Sequence, residues 1–282
     1  MRKILTAAIL TVSLAISLIS CASRSSSTAQ EKGTNDSTLI IYYSQTGATR
    51  QLAEQLKKEL GADIVEIEPV EPYDSDYNAT ISRWIEEVEN NKKVPIKSLD
   101  IDLDDYNKIL LCFPVWGGTY ALPVKTFLDE NDLKGKTIVT FATFGSGGIA
   151  TATNDLANAE PDAKVIKGYG VRNARMEKMP SELDRYLIEN GYKEGVLEQL
   201  AAYEEPTICN EEAVELFNQA TSGYRYPLGQ PVTVAKRKTP NGTDYRFQVK
   251  TKGPDGEENE ATVYVTVDDT EGAKPEFTEV LR

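Results

Sequence analysis

The run Ser44-Gln45-Thr46-Gly47-Ala48-Thr49 places three hydroxyls and one glycine within six residues. It follows Leu39-Ile40-Ile41-Tyr42-Tyr43, an apolar stretch that reads as a buried strand. It precedes Leu52, Ala53, Leu56 and Leu60, apolar at helical spacing with no Gly or Pro among them. A strand, a short hydroxyl-rich turn and a helix start together form a phosphate cradle. The first N–H groups of a helix have no acceptor within it, and the macrodipole puts positive potential at that end. Ser44, Thr46 and Thr49 add hydroxyl donors, and Gly47 lets an anion approach the backbone closely. No lysine lies in the turn, so the pattern is not the triphosphate loop whose lysine reaches the outer phosphates. Hydroxyls and amides alone suit a single phosphomonoester. The same residues would also serve as an ordinary capped turn, and the local pattern does not separate the two.

Two further loops carry residue types suited to a planar ligand. After the apolar run Lys108–Phe113 comes Pro114-Val115-Trp116-Gly117-Gly118-Thr119-Tyr120, then Ala121-Leu122-Pro123-Val124. After Thr137–Ala142 comes Thr143-Phe144-Gly145-Ser146-Gly147-Gly148. Trp116 offers a large face for stacking, and it would equally serve as packing in a folded loop. The glycines let backbone N–H and C=O groups approach a ring edge. The chain has no histidine, which removes imidazole acid–base chemistry, Ser–His–Asp and Cys–His systems and histidine-based zinc sites. With few cysteines, far apart, thiolate zinc sites fail as well, so the chemistry must come largely from a bound cofactor.

The elements that would position these loops alternate from residue 37 to about 190. Strand patterns at 39–43, 62–67, 108–113, 137–142 and 163–167 are separated by helical patterns at 49–60, 76–92, 123–128, 149–156 and 181–189. Strands separated by helices imply a parallel sheet covered on both faces, with ligands at the carboxyl ends of the strands. All three loops fall at that edge.

Together the loops resemble those of the flavodoxin family. Its first loop reads T/S-x-T-G-x-T, matched at Ser44, Thr46, Gly47 and Thr49. Its second reads P-V/I-W-x-G and ends at a proline that opens a helix, as Pro114–Gly117 and Pro123 do, and its third is rich in Gly and Ser. The resemblance implies a flavodoxin-like, doubly wound five-stranded parallel sheet over residues 37–202, with FMN as cofactor. Ser44, Gln45, Thr46, Gly47, Ala48 and Thr49 would hold its phosphate. Pro114, Val115, Trp116, Gly117 and Gly118, with Thr143, Phe144, Gly145, Ser146 and Gly147, would flank the ring, Trp116 stacking on it. No side chain would be catalytic. A flip of the Trp116–Gly118 backbone, which glycine makes easy, would present a carbonyl to flavin N5. The short acidic electron carriers have a stacking Tyr in the third loop; here Phe144 is the sole aromatic. One flavin face would therefore be open to a substrate or partner.

The chain opens Met1-Arg2-Lys3 and runs apolar from Ile4 to Ile19, ending Leu18-Ile19-Ser20-Cys21. An apolar region this short after a positive start reads as a secretory signal over 1–20. Its ending resembles the bacterial lipobox, which implies lipidation of Cys21. Residues 21–36 read as a flexible tether. The expected location is outside the cytoplasm, on a membrane. Residues 1–20 carry Arg2 and Lys3 and no acid, so their removal takes the formal charge from −13 to −15. That acidity argues against nucleic acid as a partner. Cys112, inside a strand pattern, reads as a buried small apolar residue; Cys209 lies in polar sequence, and a disulfide between them is not expected.

Residues 203–210 read as a linker, followed by a helix at 211–220 and strand-like runs at 232–236, 245–250 and 262–267. Asn241-Gly242 and Asp255-Gly256 supply hairpin turns. A helix followed by an antiparallel meander over 203–282 resembles the cystatin-like helix-on-sheet plan, as a small α+β domain. The stretch Gln230–Ala235 lacks the final glycine of that family's protease-binding hairpin. Three functions follow: an exported FMN-binding redox lipoprotein serving a redox protein or small acceptor; a flavin-dependent quinone or NAD(P)H reductase; and an interaction lipoprotein without cofactor.

Overall fold

The computed structural model describes residues 37–145, 147–197, 200–224, 228–252 and 257–281. The residues read as a signal segment and tether, with Cys21, as well as Ser146 and the expected turn at Asp255-Gly256, lie outside the described residues.

β1 (Thr38–Tyr42) buries every residue after the first, as a strand covered on both faces must. α1 (Ala48–Leu60) follows and turns Leu52, Ala53 and Leu56 inward. Next come β2 (Asp63–Glu66), α2 (Tyr77–Glu89), β3 (Lys108–Trp116), the two-residue β4 (Thr119–Tyr120) and α3 (Leu122–Glu130). β5 (Thr137–Phe144), α4 (Ala150–Ala159), β6 (Lys164–Arg172) and α5 (Met179–Glu189) complete the first half. The sheet order is β2-β1-β3-β5-β6, with every one of those pairings parallel. The chain winds outward from β1 to β2 and returns to β3, so the strand order reverses between β1 and β3. Successive residues of each strand feed opposite cores. Leu39, Ile41, Leu111 and Phe113 pack with Val124, Phe127 and Leu156 of α3 and α4. Ile40, Leu110, Cys112 and Phe141 pack with Leu52, Leu56, Leu183 and Leu187 of α1 and α5.

The second half is an antiparallel sheet carrying one helix. β7 (Thr207–Ile208) leads into α6 (Glu211–Thr221), which begins where the Asn210 side chain accepts the Ala213 N–H at 2.9 Å. β8 (Gln230–Thr239), β9 (Gly242–Lys252), β10 (Glu258–Asp268) and β11 (Glu276–Leu281) then form the order β11-β10-β9-β8-β7. α6 packs through Phe217, whose ring lies 5.2 Å from that of Phe247, over Val263, Val265 and Phe277. Both sheets belong to one compact unit.

Several elements run past the bounds read from sequence. β3 continues through Pro114-Val115-Trp116 and folds back as β4, so the expected second loop is a hairpin with Gly117-Gly118 at its tip. β5 continues through Thr143 and Phe144, which pair with Val171 and Arg172 of β6. The segment expected as a linker enters the second sheet, with Thr207 opposite Val234, and β11 is a strand that the pattern did not mark. α2 turns only part of its apolar stripe inward: Ile81 and Trp84 are half-buried, Tyr77 is 67% and Val88 48% exposed, and Glu87 faces in. Among the described residues no helix is long and apolar enough to cross a membrane, and no cluster of metal-ligating side chains forms. Cys112 is buried and Cys209 half-buried, both as free thiols.

Candidate functional site

Because β1 and β5 both pair with β3 in register, the chain segments leaving their carboxyl ends emerge side by side. Tyr42 lies opposite Cys112, and Pro114 opposite Thr143.

The first segment turns on Gly47, whose φ of 92° is a left-handed conformation that glycine adopts without strain. A Cβ there would meet no atom within 4 Å, so the space over the turn is open. Ser44 Oγ accepts the Gly47 N–H at 3.1 Å, which fixes the turn and leaves the hydroxyl proton to donate elsewhere. Gln51 N–H closes a helical bond onto the Gly47 carbonyl at 3.0 Å. The N–H groups of Ala48, Thr49 and Arg50 precede it in the first turn of α1, where helix geometry provides no acceptor. No acid stands in that turn, so the positive end of the macrodipole is unopposed. Arg50 is engaged with Glu66 at 2.7 and 3.0 Å. Thr46 is exposed, whereas Thr49 is buried and its Oγ1 lies 2.8 Å from that of Thr143. The Thr49 hydroxyl thus ties the first segment to the third. The Gln45 side chain turns away, accepting from Tyr43 OH at 3.0 Å and donating to the Asp74 carbonyl.

The second segment presents Trp116, half-buried and edge-on to two tyrosines: Tyr43 at 5.8 Å and 84°, Tyr73 at 5.0 Å and 82°. Pro114 and Val115 are half-buried beneath it in β3. Tyr73 is held in turn. Its hydroxyl donates to Glu87 Oε2 at 2.5 Å, Arg83 Nε donates to Glu87 Oε1 at 2.7 Å, and the Arg83 guanidinium lies 4.0 Å over the Tyr73 ring. Burial pushes the Tyr43 and Tyr73 phenols up, so both stay protonated in the physiological range. Gly117 and Gly118 have φ of 58° and 92°, the positive pair that a two-residue hairpin turn requires. A Cβ on Gly117 would fall 2.5 Å from the Trp84 ring. Trp84 of α2 therefore packs against one side of the hairpin tip, at Gly117, and leaves Gly118 open.

In the third segment Thr143 and Phe144 are both buried. The Phe144 ring packs over Gly170, where a Cβ would come within 2.8 Å of it. It is part of the core and not a free stacking face. Gly145 and Gly147 are exposed, and Arg172 Nε donates to the Gly145 carbonyl at 3.3 Å. Sequence reading missed Tyr73, Trp84 and Arg172 as neighbours of the site. Trp84 stood in the apolar stripe of α2, where it could have been noticed. Tyr73 sits in an unpatterned stretch, and Arg172 ends a strand whose end was read five residues earlier, at 167.

The described site thus offers free amides and hydroxyls at one end and an indole with two glycines at the other. Among its described residues there is no imidazole to activate those hydroxyls and no thiol. That donor set suits an anionic group joined to a planar one.

Residues 37–186 match the family model described as Flavodoxin. Among solved structures, a candidate flavoprotein from Bacteroides eggerthii is 31% identical, covering 54% of this chain and 98% of its own, with a TM-score of 0.46. A second from Bacteroides uniformis is 28% identical, with coverages of 52% and 97% and a TM-score of 0.47. A flavoprotein in complex with FMN from Lactobacillus acidophilus is 28% identical, with coverages of 54% and 99% and a TM-score of 0.45. No curated protein matches the chain.

Proposed function

This chain belongs to the flavodoxin family, and from that premise we propose that it is an FMN-binding redox protein that transfers electrons outside the cytoplasm. The carrying observation is the open turn at Gly47, with unsatisfied helix amides behind it and no acid in the first turn of α1. FMN fits this donor set. Its phosphate suits the amides of Ala48, Thr49 and Arg50 and the hydroxyls of Ser44 and Thr46. Thr49 acts indirectly, by locking the turn to Thr143. Trp116, fixed edge-on by Tyr43 and Tyr73, supplies a preset planar face for the ring. When bound, FMN supplies one- or two-electron transfer, for which the described site holds no side-chain substitute.

Two observations bear on the acceptor. Phe144 is spent in the core, which leaves the third segment without a stacking aromatic. This supports an uncovered ring face and a second reading, a reductase that accepts a nicotinamide donor or a quinone on that face. The signal-like residues 1–20 and Cys21 support anchoring by lipid to a bacterial membrane, and the acidic chain points to a protein or small-molecule partner and away from nucleic acid. The C-terminal helix-on-sheet unit is cystatin-like in plan, one helix packed through Phe217 on an antiparallel sheet.

The test is a titration of residues 22–282 with FMN and with riboflavin, which lacks the phosphate. FMN should bind about 100-fold more tightly or better, the worth of two charge-assisted hydrogen bonds at about 1.5 kcal/mol each. Equal affinity would remove the phosphate site from the account.

A further inference from the structure

Arg172, Arg175 and Lys178 stand three residues apart where β6 gives way to α5, and all three reach the second sheet. Arg172 Nη1 donates to the Phe277 carbonyl at 2.8 Å, and its guanidinium lies 4.5 Å over the Phe277 ring. Arg175 is buried; it donates from Nη1 to Glu276 at 2.5 Å and from Nη2 to Glu182. Lys178 lies 3.4 Å from Glu276 and also pairs with Asp268. Arg175 and Lys178, in the turn between β6 and α5, thus meet acids from β10 and β11.

Arg172 does one thing more: its Nε donates to the Gly145 carbonyl at 3.3 Å. A single planar group therefore joins the third ligand-facing segment to β11. At the other end of that segment, a Cβ on Gly148 would lie 3.6 Å from Glu279 Oε1, so β11 flanks both ends. Gly145, Gly147 and Gly148 give this segment more backbone freedom than any other part of the site, and ordering it on ligand binding costs correspondingly more. A rigid fork holding one of its carbonyls removes part of that cost beforehand.

We propose that the C-terminal sheet is a brace for the third segment, acting through Arg172 as a positioning residue that holds the Gly145 carbonyl in place beside the flavin ring. The proposal rests on the FMN-binding reading, and it gives the C-terminal sheet a part in the affinity of the first.

In the full-length protein, Arg172→Met should raise amide exchange over residues 145–149 in the FMN-free state and weaken FMN binding, each by about tenfold, the scale of one lost ordering contact. Exchange over residues 44–52 and the preference for FMN over riboflavin should not move. Arg172→Lys, which reaches one carbonyl but not both, should recover part of the loss. Unchanged exchange over 145–149 together with unchanged affinity would overturn the proposal. Should Arg172→Met fail to fold, Glu276→Gln loosens the same docking without touching the third segment. It should shift both readouts in the same direction, and no shift in either would overturn the brace. If the wild-type protein binds no FMN, the functional reading falls, while the FMN-free exchange comparison still decides whether Arg172 braces the segment.

Discussion

Gly117 and Gly118 look alike in sequence, yet their surroundings differ. Both have positive φ, so an alanine at either costs about 1 kcal/mol of backbone strain. At Gly118 nothing lies within 4 Å of the added methyl, whereas at Gly117 it would overlap the Trp84 ring at 2.5 Å. Gly117→Ala should therefore cost about 2–4 kcal/mol in denaturant unfolding, the strain plus an overpacking penalty, and Gly118→Ala only about 1 kcal/mol. Tryptophan fluorescence should change in the first variant and hold in the second. Equal losses would mean that Trp84 does not press on the hairpin tip. Either variant should leave the discrimination between FMN and riboflavin intact, since Gly47 and the amides of α1 lie in a different segment.

β11 shows how an element escapes a pattern and still matters. Its buried residues Phe277 and Val280 are three apart, not two. Tyr264 pairs with Glu279 and Val265 with Phe277, so Thr278 is bulged out of the ladder and the alternation is lost. Strand periodicity read from sequence has no means of registering such a break. β3 escaped in another way: Pro114 reads as an end to a strand, but at the top of the sheet it sits beside Thr143 and the strand continues. The uninterrupted apolar runs of β1, β3 and β5 were legible because both faces are covered, and so was the turn at Ser44–Thr49, because a strand and a helix must both end there. The supports of Trp116 were not, because Tyr73 and Glu87 reach it through tertiary packing. β11 also carries a test. Burial holds the Glu279 carboxyl above its ordinary range, with Lys167 pulling only partly the other way. The folded state thus binds this proton more tightly than the unfolded chain. What Glu279 adds to stability is complete below the unfolded pKa of about 4.3 and is lost as pH rises through the folded value. Glu279→Gln should therefore raise the unfolding temperature near neutral pH, with the gain vanishing near pH 4. A gain confined to acid pH would contradict the burial of that carboxylate.

At the scale of the whole molecule, a chain without histidine and with a formal charge of −13 is folded into two sheets joined by paired charges. The first sheet brings an amide-rich turn, an indole and a glycine-rich segment to one edge; the second supports that edge from the side. Such an arrangement binds and orients a redox group while leaving the electron chemistry to it. The most direct measurement is an anaerobic reductive titration of the FMN-loaded protein, followed by absorbance. Protein-bound flavin, its fluorescence quenched by Trp116, should be reduced and reoxidised reversibly at a midpoint displaced from that of free FMN. Flavin that stays fluorescent and titrates at the potential of free FMN would contradict the proposed function.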